Sequence, residues 1–106
     1  MPKYLYQASY TPEGLRGLVR DGGTKRREAV ERLVEGVGGK LESMYFAFGD
    51  SDVYAIIDAP DNVSASRAAL TVGATGAVNV KTTVLLTPEE VDQATQQSVS
   101  YTPPGQ

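Results

Sequence analysis

The stretch that decides the fold runs KLESMYFAF (residues 40–48), GDS (49–51) and DVYAIIDA (52–59). Two runs rich in aromatic and β-branched residues flank a short link of small polar residues, the pattern of a β-hairpin. Gly49, Asp50 and Ser51 tolerate the tight backbone that such a turn needs. This predicts strands over 40–48 and 52–59. In the first, Met44, Phe46 and Phe48 share one side, and Leu41, Tyr45 and Ala47 the other. In the second, Asp52, Tyr54, Ile56 and Asp58 share a face.

Toward the N-terminus, Gly38-Gly39 stops a helix by the left-handed route. Upstream of that stop Ala29, Val30, Leu33, Val34 and Val37 recur at helical spacing, with Arg27, Glu28, Glu31, Arg32 and Glu35 on the other side. Thr24 is the expected cap of this helix. Asp21-Gly22-Gly23 separates it from a shorter one that Thr11-Pro12-Glu13 begins. There the threonine caps free amides, proline fits the first helical position, and glutamate suits the positive end of the dipole. Residues 3–10, KYLYQASY, read as a strand.

Toward the C-terminus, Pro60-Asp61-Asn62 opens a helix with Asp61 or Asn62 as cap. Ala65, Ala68, Ala69 and Val72 form its small-residue face, and Gly73 and Gly76 close it. Residues 77–86 (AVNVKTTVLL) make a fourth strand, with Val78, Val80, Val84 and Leu86 on one parity. Thr87-Pro88-Glu89-Glu90 begins a short helix near 88–97, and the tail SVSYTPPGQ is irregular. The order β-α-β-β-α-β specifies an α+β, ferredoxin-like plait: an antiparallel four-stranded sheet with helices on one face, over residues 1–98, and a tail over 99–106. Neither sheet face is fully polar, so the face away from the helices is expected to meet a second copy of the chain.

Composition narrows the chemistry. Hydrophobic residues are 41% and charged residues 22% of the 106, ordinary for a globular domain. A net charge of −3 weighs against nucleic acid. The basic cluster Lys25, Arg26 and Arg27 is followed closely by Glu28, Glu31 and Glu35. There is no Cys, which excludes disulfides, thiolate nucleophiles and zinc–thiolate sites. There is no His, which removes the commonest base at neutral pH and the commonest transition-metal ligand. No cofactor and no metal are expected. The opening MPKYLYQASY has no apolar core of signal-peptide length, so the expectation is a cytoplasmic protein with no membrane partner.

The residues that remain as actors are carboxylates, tyrosines and basic side chains. Asp52 could act as a base or hold a substrate hydroxyl; the plainer reading is a turn carboxylate bonded to backbone amides. Tyr45 and Tyr54 could move protons beside it. Tyr4, Tyr6 and Tyr10 share one face of the first strand, where Tyr6 and Tyr10 could line an aromatic pocket or simply pack. Arg26 and Arg27 could clamp a carboxylate or phosphate, and Arg27 is the ligand-binding choice. Against that, Arg27–Glu31 and Glu28–Arg32 have ion-pair spacing. Tyr6 and Tyr54 on a four-stranded sheet could stack RNA bases, but the basic-aromatic signature is missing. The glycines at 73 and 76 before Lys81 do not make a phosphate loop, because the lysine falls inside a strand.

The chain resembles the GYD domain family of small bacterial proteins. The resemblance is carried by KYLYQASYTPEG, RREAVERLVEGVGGKLESMYFAFG, DVYAIIDAPDN and GAVNVKTTVLLTPEEVD. The family is named for a Gly-Tyr-Asp-like hairpin; here Gly49 and Asp52 match, and Ser51 stands in place of the tyrosine. The resemblance implies a ferredoxin-like fold similar to the dimeric α/β-barrel proteins, and no general reaction. The expected function is a homo-oligomeric, homodimeric or larger, small-molecule-binding or regulatory module with a small, partly apolar ligand. The alternatives are a cofactor-free isomerase, cyclase or monooxygenase using Asp52 and tyrosines, and a structural assembly component.

Overall fold

In a computed structural model describing residues 1–106, the hairpin is the outer half of one sheet. In chain order the elements are β1 (Lys3–Tyr10), α1 (Pro12–Asp21), α2 (Gly23–Gly36), β2 (Lys40–Phe46), β3 (Val53–Asp58), α3 (Asn62–Gly73), β4 (Val78–Leu85) and α4 (Pro88–Thr95). The strands lie in the order β2-β3-β1-β4, every neighbour antiparallel. The architecture is the α+β ferredoxin-like plait that the alternation predicts.

The caps behave as their chemistry dictates. The Thr11 side chain accepts from the Gly14 amide at 3.3 Å. Thr87 and Glu90 form a reciprocal capping box around Pro88. The Asp61 carboxylate accepts from the Ser64 amide at 2.8 Å, which holds its pKa below the usual value. Thr24 is not a cap: α2 begins one residue earlier, after Gly22, with no side-chain cap. Gly22 takes a φ of 84°, open to glycine at no steric cost, and that breaks the segment into the separate helices α1 and α2.

The hairpin is looser than predicted. β2 ends at Phe46 and β3 begins at Val53, so residues 47–52 form the link, closed by the Ala47 amide donating to the Asp52 carbonyl at 2.8 Å. Phe48 is fully exposed. A bulge at Glu42 shifts the register, and Leu41 and Met44 therefore both reach the helical side, against the simple alternation.

The core lies between the sheet and α2 and α3. Tyr4, Tyr6, Ala55, Ile57 and Ala59 meet Val34 of α2 and Ala65 and Ala68 of α3. Burying a side chain such as Ile57 contributes roughly 1.5–3 kcal/mol. The alanines let α3 approach the sheet closely. No helix covers the opposite face, where Leu5 stands beside Ile56 and Tyr45 beside Tyr54. α4 buries no residue. The radius of gyration is 17.0 Å and the long dimension 57 Å, against about 13 Å for the radius of a compact chain of this length, and every residue from 88 to 106 is exposed.

Candidate functional site

The alternation of β1 aims Tyr4, Tyr6 and Tyr10 at the helices. Tyr4 is held by donating to Asn62 Oδ1 at 2.6 Å, and Tyr6 by donating to the Ala65 carbonyl in α3. Burial pushes the Tyr6 phenol up to about 12. Both hydroxyls are engaged, so Tyr6 offers only its ring. Tyr10 differs: its hydroxyl lies against the Arg26 guanidinium, with the Asp52 carboxylate also nearby. Burial raises its pKa, partly opposed by the neighbouring Arg26 guanidinium. At neutral pH it is a protonated donor.

Asp52 lies just outside β3, and its carboxylate accepts from the Tyr10 amide at 2.9 Å. Its own amide donates to the Ala8 carbonyl at 2.8 Å. The carboxylate thus fixes the end of β1 against the hairpin link. It does not join Tyr54, Ile56 and Asp58 on the open face. Tyr45 and Tyr54 are cross-strand neighbours on that open face, with Tyr45 exposed. The structure does not bring Asp52, Tyr45 and Tyr54 together. It likewise puts Tyr6 and Tyr54 on opposite sides of the sheet.

α2 presents its adjacent arginines, Arg26 and Arg27, in different directions. Arg27 is exposed and pairs with Glu31 at 3.4 Å, whereas Glu28 and Arg32 form no ion pair. Arg26 turns inward. It is the one charged residue lining an apolar pocket beneath α2 and α3, with Tyr6, Tyr10, Met44, Ala68 and Val80 among its walls. The Nε of Arg26 is buried with no hydrogen-bond partner. That pocket holds only about 40 Å³, space for little more than a solvent molecule.

A second space opens on the other side of Tyr10 and Arg26. It is a cleft of about 550 Å³ between α1 and α2, with Tyr10, Arg26 and Val78 shared with the apolar pocket. Its size falls within the range of small-molecule sites. The cleft exists because α1 is tied to the start of β4: the Thr11 amide donates to the Ala77 carbonyl at 3.0 Å, and the Thr11 hydroxyl to the Gly76 carbonyl at 3.0 Å. Gly14 permits this approach, since a Cβ there would collide with the Ala77 carbonyl oxygen. Arg16, Lys25 and Arg32 line the cleft and were not singled out by sequence as site residues. The signal available was the glycine break, which folds the basic residues of α1 beside those of α2.

On the open face, Lys3 bridges Glu42 at 2.9 Å and Asp58 at 2.8 Å, and the two carboxylates hold its pKa above the usual value. No helix is long and apolar enough to cross a membrane. No curated protein and no solved structure matches the chain. The sequence pattern of the GYD domain matches residues 4–95, from the second residue of β1 to the last of α4. With that match spanning every element on which the pocket and the cleft are built, the chain belongs to the GYD domain family.

Proposed function

We propose that the protein is a homo-oligomeric small-molecule-binding or regulatory module of the cytoplasm. One observation carries the ligand reading: an apolar pocket and an open cleft of about 550 Å³ meet at Tyr10 and at Arg26, whose buried Nε lacks a partner. Buried polar groups in native proteins are almost always paired with protein, water or ligand, and Arg26 stands where the apolar pocket and the open cleft meet. The ligand has an apolar part, because Tyr10, Leu18, Ala29, Ala77 and Val78 give the cleft an apolar wall.

The oligomer reading rests on the uncovered sheet face. Leu5, Ile56, Tyr54 and Leu85 lie there without a helix above them, and a second copy is the simplest cover. The enzyme alternative loses ground, because Asp52 spends its carboxylate on a backbone amide and stands apart from Tyr45 and Tyr54.

Native mass spectrometry of freshly purified protein tests both parts at once. The expected spectrum has a dimer or larger assembly carrying a retained small molecule. A monomer at micromolar concentration overturns the oligomer, and a ligand-free spectrum together with no binding of any amphiphilic probe overturns the module.

A further inference from the structure

We infer that the cleft between α1 and α2 takes an anionic ligand: an oxyanion headgroup on an apolar body, with the charge on Arg26 and Tyr10. This rests on the small-molecule reading above and names its chemical class.

The first ground is charge. The chain carries −3 overall. Yet the cleft gathers five cationic side chains, Arg16, Arg20, Lys25, Arg26 and Arg32, against two carboxylates, Glu13 and Asp21. Arg20 is already occupied by Asp21 at 3.2 Å. Arg16, Lys25, Arg26 and Arg32 take part in no ion pair, although the acidic chain offers carboxylates elsewhere. A concave site with an excess of one sign of charge concentrates ligands of the other.

The second ground is the donor geometry. Arginine presents its N–H groups in a planar fork that matches an oxyanion at two points. In Arg26 the Nε of that fork is buried and unpartnered. The neighbouring Tyr10 phenol, protonated at neutral pH and set against the Arg26 guanidinium, can turn its O–H to the same ligand oxygen. Arg26 is half-buried and lines the cleft, so the accessible part of its guanidinium is what meets a ligand oxyanion, while the buried stem holds the fork in place.

The third ground is what lies beyond the arginine. Tyr10, Arg26 and Val78 belong both to the basic cleft and to the apolar pocket. A headgroup on Arg26 therefore has its apolar body beside Val78 and Tyr10, at the mouth of the pocket. A purely inorganic anion would leave that contact unused.

Two dyes with one ring system test this on the full chain: 1-anilinonaphthalene-8-sulfonate, which is anionic, and N-phenyl-1-naphthylamine, which is the same body without the sulfonate. Fluorescence titration is expected to show the anionic dye binding at least tenfold more tightly. Arg26→Met is expected to weaken the anionic dye by about 10- to 100-fold, the scale of a charge-assisted hydrogen bond, and to leave the neutral dye within about twofold, the scale of an unchanged apolar contact. Arg26→Lys recovers part of the preference, and circular dichroism confirms that both variants are folded. Competition identifies the headgroup: displacement by octanoate, by octyl phosphate or by both supports the inference, and displacement by octanol alone overturns it. Equal affinity for the two dyes, or an Arg26→Met chain that keeps the preference, overturns the anion inference and leaves the module reading standing. Failure of both dyes to bind overturns the two together.

Discussion

Tyr6→Phe should invert its own effect on stability as the pH rises. At neutral pH the substitution deletes the hydroxyl that donates to the Ala65 carbonyl, a buried bond between β1 and α3. Such a bond contributes about 0.5–1.5 kcal/mol net, so the variant starts less stable by about 1 kcal/mol. The phenol's pKa moves from 10.0 to about 12 on folding, chiefly because burial penalises the phenolate. The fold favours the protonated form, so the contribution is whole below pH 10 and is lost as the pH climbs toward 12. At pH 11 the unfolded chain has gained about one unit of ionisation free energy that the folded chain has not, about 1.4 kcal/mol. Phenylalanine has no proton to lose. The stability curves of the two proteins should therefore approach one another above pH 10 and cross near pH 11. Urea unfolding followed by circular dichroism at pH 7, 9, 10 and 11 measures this. Every other titratable group is common to both chains, so the difference reports Tyr6 together with its coupling to the Tyr4 phenol. Curves that stay parallel from pH 8 to 11 would refute the placement of this hydroxyl in the core.

Three further outcomes follow from single contacts. Asp52→Asn keeps an acceptor for the Tyr10 amide, so it should cost under about 1 kcal/mol in urea unfolding, whereas Asp52→Ala orphans that amide and should cost about 1–3 kcal/mol; equal costs would show that the amide bond is not what Asp52 supplies. Gly14→Ala should destabilise by about 1–3 kcal/mol through collision with the Ala77 carbonyl, although alanine is the better helix former by about 1 kcal/mol; a higher melting temperature would remove the tie between α1 and β4. Val91→Ser on α4 should change stability by no more than about 0.5 kcal/mol, because the side chain has no covering element in the single chain; a larger loss would reveal a partner surface under that helix.

The plait was legible because each of its boundaries has a local chemical cause. Thr11-Pro12-Glu13 and Thr87-Pro88-Glu89 announce helices through caps, and both threonines do accept the expected amides. Alternation in KYLYQASY sorts Tyr4 and Tyr6 from Leu5 and Gln7 correctly, because β1 is central and regular. Alternation failed in β2, an edge strand, where the Glu42 bulge inserts one residue and turns Leu41 to the core. Nothing in KLESMYF distinguishes a bulged edge strand from a straight one, since the bulge arises from fitting the strand to its neighbour. The hairpin link is longer than its residue pattern predicts for a related reason. Phe48 looks like a strand residue by type, yet the carboxylate of Asp52 is drawn to the Tyr10 amide of the adjacent strand, a contact made only once the sheet has formed.

The candidate site was half legible, and the boundary falls between two neighbouring arginines. Residues 26, 30, 33 and 37 are spaced for one face of a helix. Val30, Leu33 and Val37 pack against the core, so Arg26 continues their stripe while Arg27, one position on, turns about 100° away toward Glu31. The spacing thus carried the information that separates a solvated arginine from an inward one. It did not carry the cleft. That needs α1 to leave α2 at Gly22, and Thr11 to bond to Gly76 and Ala77, partners sixty-five and sixty-six residues away. Basic residues on two short helices look like solvated faces until that long-range tie sets the helices side by side. Arg16 of α1 and Arg32 of α2 then line one cleft, with no carboxylate assigned to either. A charge cluster that the fold assembles and leaves unpaired is a stronger pointer to a ligand than any single arginine in the chain, because local pairing along a helix, the ordinary fate of such residues, was open to Arg32 through Glu28 and is not what the fold adopts.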